Sequence, residues 1–269
     1  MKDLNDALAE NEADATEAFL KSLPELAPGE SFRFACHPDV PCFNACCSDL
    51  RLMLTPYDAL RLRRALGISA ADFINHFATR FTAPDTGFPM LQLKMRDEPQ
   101  KRCPFVTPEG CKVYPDRPGA CRTYPLGRAT RLDEEGHVVE QFFVVREPHC
   151  RGFEEASTWD APAWLADQDL ARYNEFNDRY MRLMALARGK GAALTDKQGQ
   201  MVWLAQYEPD AFQAFITRLD LFRLVEIDEE RKARVLADEE ASLIFGLDWL
   251  ELAFFGLETG LRRKRQPMP

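Results

Sequence analysis

Eight cysteines carry the chemical signal of this 269-residue chain. Cys36, Cys42, Cys46 and Cys47 fall close together, Cys103, Cys111 and Cys121 follow after a gap, and Cys150 closes the set. Residues 151–269 contain none. Several of the thiols sit beside Pro, Gly, Asn or His, in ACHPDVPCFNACC, RCPF, EGCKV and PHC. Those are loop contexts, where ligating side chains are often presented. Three chemistries compete for such a set. Disulfides need an oxidising compartment, and no export signal is recognised at the start of the chain. Inert core cysteines would be scattered among apolar neighbours. A thiolate-bound centre accounts best for the clustering, and soft sulfur ligands favour zinc, an iron–sulfur cluster or copper(I) over magnesium or calcium.

The adjacent pair Cys46-Cys47 adds a constraint. Neighbouring side chains in an extended segment point to opposite sides, so two adjacent thiolates fit one small tetrahedral site poorly. They suit two nearby metals, a ligand beside a supporting thiol, or a vicinal disulfide. Four thiolates close one zinc site or one iron–sulfur cluster, and eight are enough for two. His37 and His149 each adjoin a cysteine and read better as surface or supporting residues than as ligands. Arg117 and Arg122 flank Cys121. They are either cations that compensate a thiolate cluster or, for Arg117, a turn partner of Asp116 or Glu109. Tyr114 and Tyr124 read as rings packed over the site.

FACHPDVPCFNACC, LMLTPYDALRLRRALGISAADFI, CPFVTPEGCKVYPDRPGACRTYPLG and PHC together resemble the YkgJ-type cysteine-cluster family, a zinc- or iron-chelating domain. Its pattern runs C-x-x-C-x-x-CC, then C-x-[IV]-Y-x-x-RP-x-x-CR-x-[FY]-P, then a single Cys. The second part is matched by Cys111, Val113, Tyr114, Arg117, Pro118, Cys121, Arg122, Tyr124 and Pro125. The first part is stretched, with five residues between Cys36 and Cys42 and three between Cys42 and Cys46. The resemblance covers about residues 32 to 153. It implies a metal- or cluster-binding domain with Cys36, Cys42, Cys46, Cys47, Cys103, Cys111, Cys121 and Cys150 as the metal-ligating set. Some relatives are flagellin lysine methylases with an iron–sulfur cluster; the cysteine core is all that is shared with them, and that activity is not carried over.

The elements that must position these residues suggest an α+β fold: a small loop-rich cysteine-cluster domain followed by an α-helical lobe. The divisions expected are an N-terminal helix in 1–29, the metal-binding domain in 30–153 and the helical lobe in 154–269. Leu4, Leu8, Ala15, Phe19 and Leu20 form an apolar stripe over residues 3–23. Thr55-Pro56 is an N-cap followed by proline at N1, with Gly67 as the stop. Ser69 opens a second helix with Phe73, Ile74, Phe77 and Phe81 on its apolar side. Short strands are expected near 32–35 and 50–54, and another over 89–95. A hairpin is expected from 128–132 to 137–145, around Glu135-Gly136. Helices follow over 163–188, 196–207, 209–219, 228–236 and 238–257. The ending LRRKRQPMP reads as a solvated terminus.

Phosphate-loop, dinucleotide-binding, zinc-protease, nucleophile-elbow, radical-SAM and thioredoxin-like motifs are all missing. A net charge of -9 argues against nucleic acid as a general partner, and no apolar run is long enough to span a membrane. The expectation is therefore a cytoplasmic metalloprotein holding zinc or iron, the iron as an iron–sulfur cluster. Whether it is an enzyme stays open. The competing functions are a redox or catalytic centre, a zinc-stapled module whose helical lobe binds a protein partner, and metal storage or delivery.

Overall fold

The computed structural model describes residues 24–132, 138–189 and 193–264. The helix expected over 3–23, the Glu135-Gly136 turn and the tail beyond 264 lie outside the described residues. The fold is α+β, as expected. Strands β1 (Glu25–Leu26) and β2 (Ser31–Arg33) lead into the first cysteine loop, and β3 (Met53–Leu54) follows it. Helix α1 (Pro56–Leu66) starts at a capping box in which Thr55 and Asp58 exchange hydrogen bonds. It stops at Gly67, whose φ of 66° is left-handed. Helix α2 (Ala70–Phe77) is capped by Ser69.

Strand β4 (Ala78–Thr82) begins where α2 ends and pairs antiparallel with β5 (Pro89–Leu93), and β5 also pairs with β3. Phe81, expected on the apolar side of a helix, therefore lies on a strand and is half exposed. Long-range pairing with Met90 overrides the local helical pattern. Strands β6 (Val106–Thr107) and β7 (Gly110–Cys111) form a tight hairpin, followed by the short helix α3 (Gly119–Thr123). The expected hairpin is β8 (Leu126–Leu132) with β9 (Val138–Val144), extended to three strands by β1. Strand β10 (Thr158–Asp160) returns to pair with β2.

The rest is helical. The single helix expected over 163–188 is two: α4 (Ala161–Asp167) and α5 (Ala171–Gly189). The break falls at Asp169, which has a left-handed φ of 52°. Then come α6 (Asp196–Tyr207), α7 (Pro209–Leu219), α8 (Glu229–Ala237) and α9 (Glu239–Leu250). A π-helical turn over Glu251–Phe255 continues α9 to the C-terminal side. The terminus is less free than expected at its start: Leu261 is buried, and Arg262–Arg263 pairs with Val225–Glu226.

Three apolar cores organise the molecule. The largest joins Phe176, Leu183, Phe212, Leu243 and Phe245 of the helices with Tyr57, Leu60 and Phe88 from the cysteine-bearing part. A second surrounds Leu54, Leu62, Phe73, Leu91, Phe105 and Val113, with Cys103 and Cys111 packed against it. A third holds Phe32, Phe34, Leu126, Val144 and Trp164, with Tyr124 and Cys150 against it. Two of the cores thus have cysteines packed against them. Among the described residues no helix is long and apolar enough to cross a membrane.

Candidate metal centre

Backbone ties bring the cysteine segments together. Phe34 N–H donates to Ser157 O at 2.9 Å and Ala35 N–H to Gly152 O at 3.0 Å, which lays the segment of Cys36 against that of Cys150. Only glycine fits at 152: a Cβ there would stand 2.6 Å from the Ala35 carbonyl oxygen and 2.6 Å from the Phe34 ring. From His37 to Cys47 the chain then winds through successive tight turns, each closed by a backbone hydrogen bond of 2.8–3.0 Å. Asn44 takes a left-handed φ of 68° in this winding, and its Nδ2 donates to Thr107 O at 3.0 Å, pinning the loop to the β6–β7 hairpin.

Cys103 N–H donates to Cys47 O at 2.7 Å, and Asp49 N–H to Lys101 O at 2.9 Å, so the end of the 3-10 turn that carries Cys47 (Ala45–Cys47) lies beside the stretch that carries Cys103. Cys111 is opposite Val106 in the hairpin. Cys121 lies on α3, whose first residue Gly119 donates its N–H to the buried Asp58 carboxylate of α1 at 2.8 Å. The same Asp58 closes the α1 capping box, so one carboxylate fixes both helix starts.

All eight cysteines are free thiols. Their mutual influence divides them. Burial and then the charges of Cys46, Cys42 and Cys150 push the Cys36 thiol up to about 11. A hydrogen bond with Cys46, burial, and then Cys46, Cys103 and Cys121 push Cys47 up. The same hydrogen bond brings Cys46 down to about 7. Burial leads for Cys103 and Cys111 as well, and both are raised. Cys121 goes up to about 12 through burial and the charges of Cys103, Asp58, Cys111 and Cys46. Solvent still reaches Cys121. Cys36 is thus within electrostatic reach of Cys42, Cys46 and Cys150. Cys47, Cys103, Cys111 and Cys121 influence one another, and Cys46 acts on Cys36 as well as on Cys47 and Cys121.

Two observations test whether these surroundings suit thiolate chemistry. Arg151 N–H points at Cys42 Sγ, 3.1 Å away, a donor that stabilises an anionic sulfur. The Tyr124 hydroxyl is buried and has no partner in full hydrogen-bond geometry, but it faces Cys150 and lies within electrostatic reach of Cys46. A buried orphan donor beside thiols is satisfied when those thiols become anionic. The donor set therefore fits a soft cation in its chemistry. As placed, no three His, Cys, Asp or Glu side chains among the described residues form a group that could hold an ion.

Arg117 and Arg122 are both buried. Arg117 pairs with neither Asp116 nor Glu109: Asp116 is taken by Arg61 at 2.5 Å, and Arg117 donates to Tyr114 O at 2.7 Å and Gln168 Oε1 at 2.5 Å. Its charge is felt at Cys36 and Cys111, where it offsets part of the rise that burial causes. Arg122 donates to Arg117 O, Pro115 O and Gln168 O and lies over the Tyr173 ring. The RP-x-x-CR segment is thus a brace that ties the Cys121 helix to the loop after α4. Tyr114 is exposed and stacks on Arg117, so Tyr124 is the ring that packs beside the thiols. His37 faces Asp39 and Glu155 at 3.8 and 3.5 Å, and His149 is exposed. Gln168, Arg151 and Asp58 support this region without any signal in the cysteine spacing.

The geometry defines a thiol-rich segment in which four stretches of chain present cysteines to one another. Residues 35–151 match the family model CxxCxxCC, described as "Putative zinc- or iron-chelating domain", the kind of cysteine-cluster family expected from the sequence. The comparisons with curated proteins and with solved structures found no match.

Proposed function

We propose that the eight cysteines chelate zinc, or iron as an iron–sulfur cluster, in two adjacent centres. Cys36, Cys42, Cys46 and Cys150 would hold one, and Cys47, Cys103, Cys111 and Cys121 the other. The observation that carries this reading is that Cys36 feels Cys46, Cys42 and Cys150, whereas Cys47 and Cys121 both feel Cys103, with Cys46 reaching both sets from where they meet. Adjacent thiols that serve one ion poorly serve two neighbouring ions well. The family description supports the choice of metals. A bound soft cation supplies the positive charge that these thiolates lack. The chain's own part is to present the sulfurs, direct the Arg151 N–H and Tyr124 O–H at them, and offset their charge with Arg117. Metal uptake by raised thiols releases protons. Free thiols in this number suit the reducing cytoplasm, where we place the protein.

Anaerobic purification with elemental analysis and an absorption spectrum on one sample tests the proposal. Stoichiometric zinc or iron is expected, at a ratio that reflects two four-thiol sets. Visible absorption bleached by dithionite identifies a redox-active cluster. A colourless zinc protein identifies a structural centre, and more than two exchangeable ions per chain a storage role. Protein without metal under those conditions overturns the reading.

A further inference from the structure

Far from the cysteines in sequence, the helical part contains a cavity of about 380 Å³ lined by Arg179, Arg182, Arg231, Asp248, Glu251, Thr259 and Gly260. Arg179 and Arg182 are three residues apart on α5 and share one face. Arg231 comes from α8, Asp248 from the end of α9, and Glu251 from the π-helical turn. Both carboxylates are buried, with side chains 4% and 3% exposed, whereas the three arginines are 27–39% exposed.

The acids hold the arginines in place. Arg179 Nη2 donates to Asp248 Oδ1, and Arg231 Nη2 donates to Oδ2 at 2.5 Å. Arg231 Nη1 also donates to Gly260 O at 2.9 Å. Gly260 lies so close over the Asp248 carboxylate that a Cβ there would overlap it. Glu251 Oε2 accepts from the Thr259 hydroxyl at 2.6 Å. Arg182 differs: its nearest acid is Glu251 at 3.9 Å, beyond hydrogen-bond distance, and among the described residues its guanidinium makes no hydrogen bond. Three cations against two acids leave a surplus positive charge, and guanidinium donors remain free toward an open cavity of ligand size. A π-helical turn at the rim is a feature that often accompanies function.

We infer that this cavity binds a small oxyanion, a phosphate or carboxylate group of a metabolite, with Arg182 as the principal free contact and Arg179 and Arg231 held in position by Asp248. This site is independent of the metal reading. Full-length protein titrated calorimetrically at constant ionic strength with inorganic phosphate, and separately with succinate, tests it. Saturable binding of either is expected, and the arm that binds more tightly identifies a phosphoryl or a carboxylate ligand. Arg182→Gln should weaken binding by about tenfold, as expected for loss of one charge-assisted contact, with the thermal midpoint unchanged. Arg218→Gln, the same charge change on exposed α7, should leave binding intact. Failure of both anions to saturate, or equal weakening by the two substitutions, overturns the inference.

Discussion

Cys46 and Cys47 are neighbours in sequence with different company. Cys46 influences Cys36 as well as Cys121, whereas Cys47 is influenced by Cys103 and Cys121. If each belongs to its own centre, Cys46→Ser and Cys47→Ser should each remove one centre and leave the other. Elemental analysis of the two variants should then give equal, reduced metal contents, and the double variant should retain neither centre. A single shared centre would instead be lost in full by either substitution alone. The cysteine clustering was legible in the sequence because thiols are few and their chemistry narrow. The supporting groups were not. Arg151 contributes a backbone N–H, which any residue but proline carries, and Gln168 reaches Arg117 from a loop 51 residues away. Nothing in the local sequence distinguishes either.

The elements around the site are short, so close backbone contacts do much of the positioning. Gly152 is where the Cys150 segment crosses Phe34 and Ala35 with no space for a side chain. Gly152→Ala should destabilise the protein by about 1–3 kcal/mol, the usual range for overpacking, measured as a lower midpoint in urea. It should also reduce metal content, because Cys36 and Cys150 would part. An unchanged midpoint would show that the two segments can separate freely. At this scale the sequence was readable wherever a cap or breaker marked a boundary. Thr55, Pro56 and Gly67 bracket α1 as expected, and Ser69 starts α2. It was unreadable where long-range pairing or a plain residue intervened. Ala78–Thr82 becomes a strand because β5 is there to pair with it, and Asp169 breaks a helix with no Gly or Pro to announce the break.

Across the whole molecule, Cys103, Cys111 and Cys150 pack against two modest cores, while the helices share the largest one. The strands nearest the thiols are two or three residues long and supply few ladder hydrogen bonds. Metal would therefore stabilise the cysteine part more than the helices. Removing it with a chelator should lower the thermal midpoint and loosen near-ultraviolet packing, yet leave most of the far-ultraviolet helical signal. Loss of both signals together would mean that the metal holds the entire fold. The α+β architecture was visible in the change of pattern after residue 158. The arginine-lined cavity was not, because its charges come from three separate helices of a chain that is acidic in total.

X-ray absorption at the metal edge of anaerobically purified protein tests thiolate chelation most directly. The account predicts a first shell of sulfur, about 2.3 Å from zinc or at the comparable distance from iron, with four sulfurs per metal. A first shell of nitrogen and oxygen alone would contradict it.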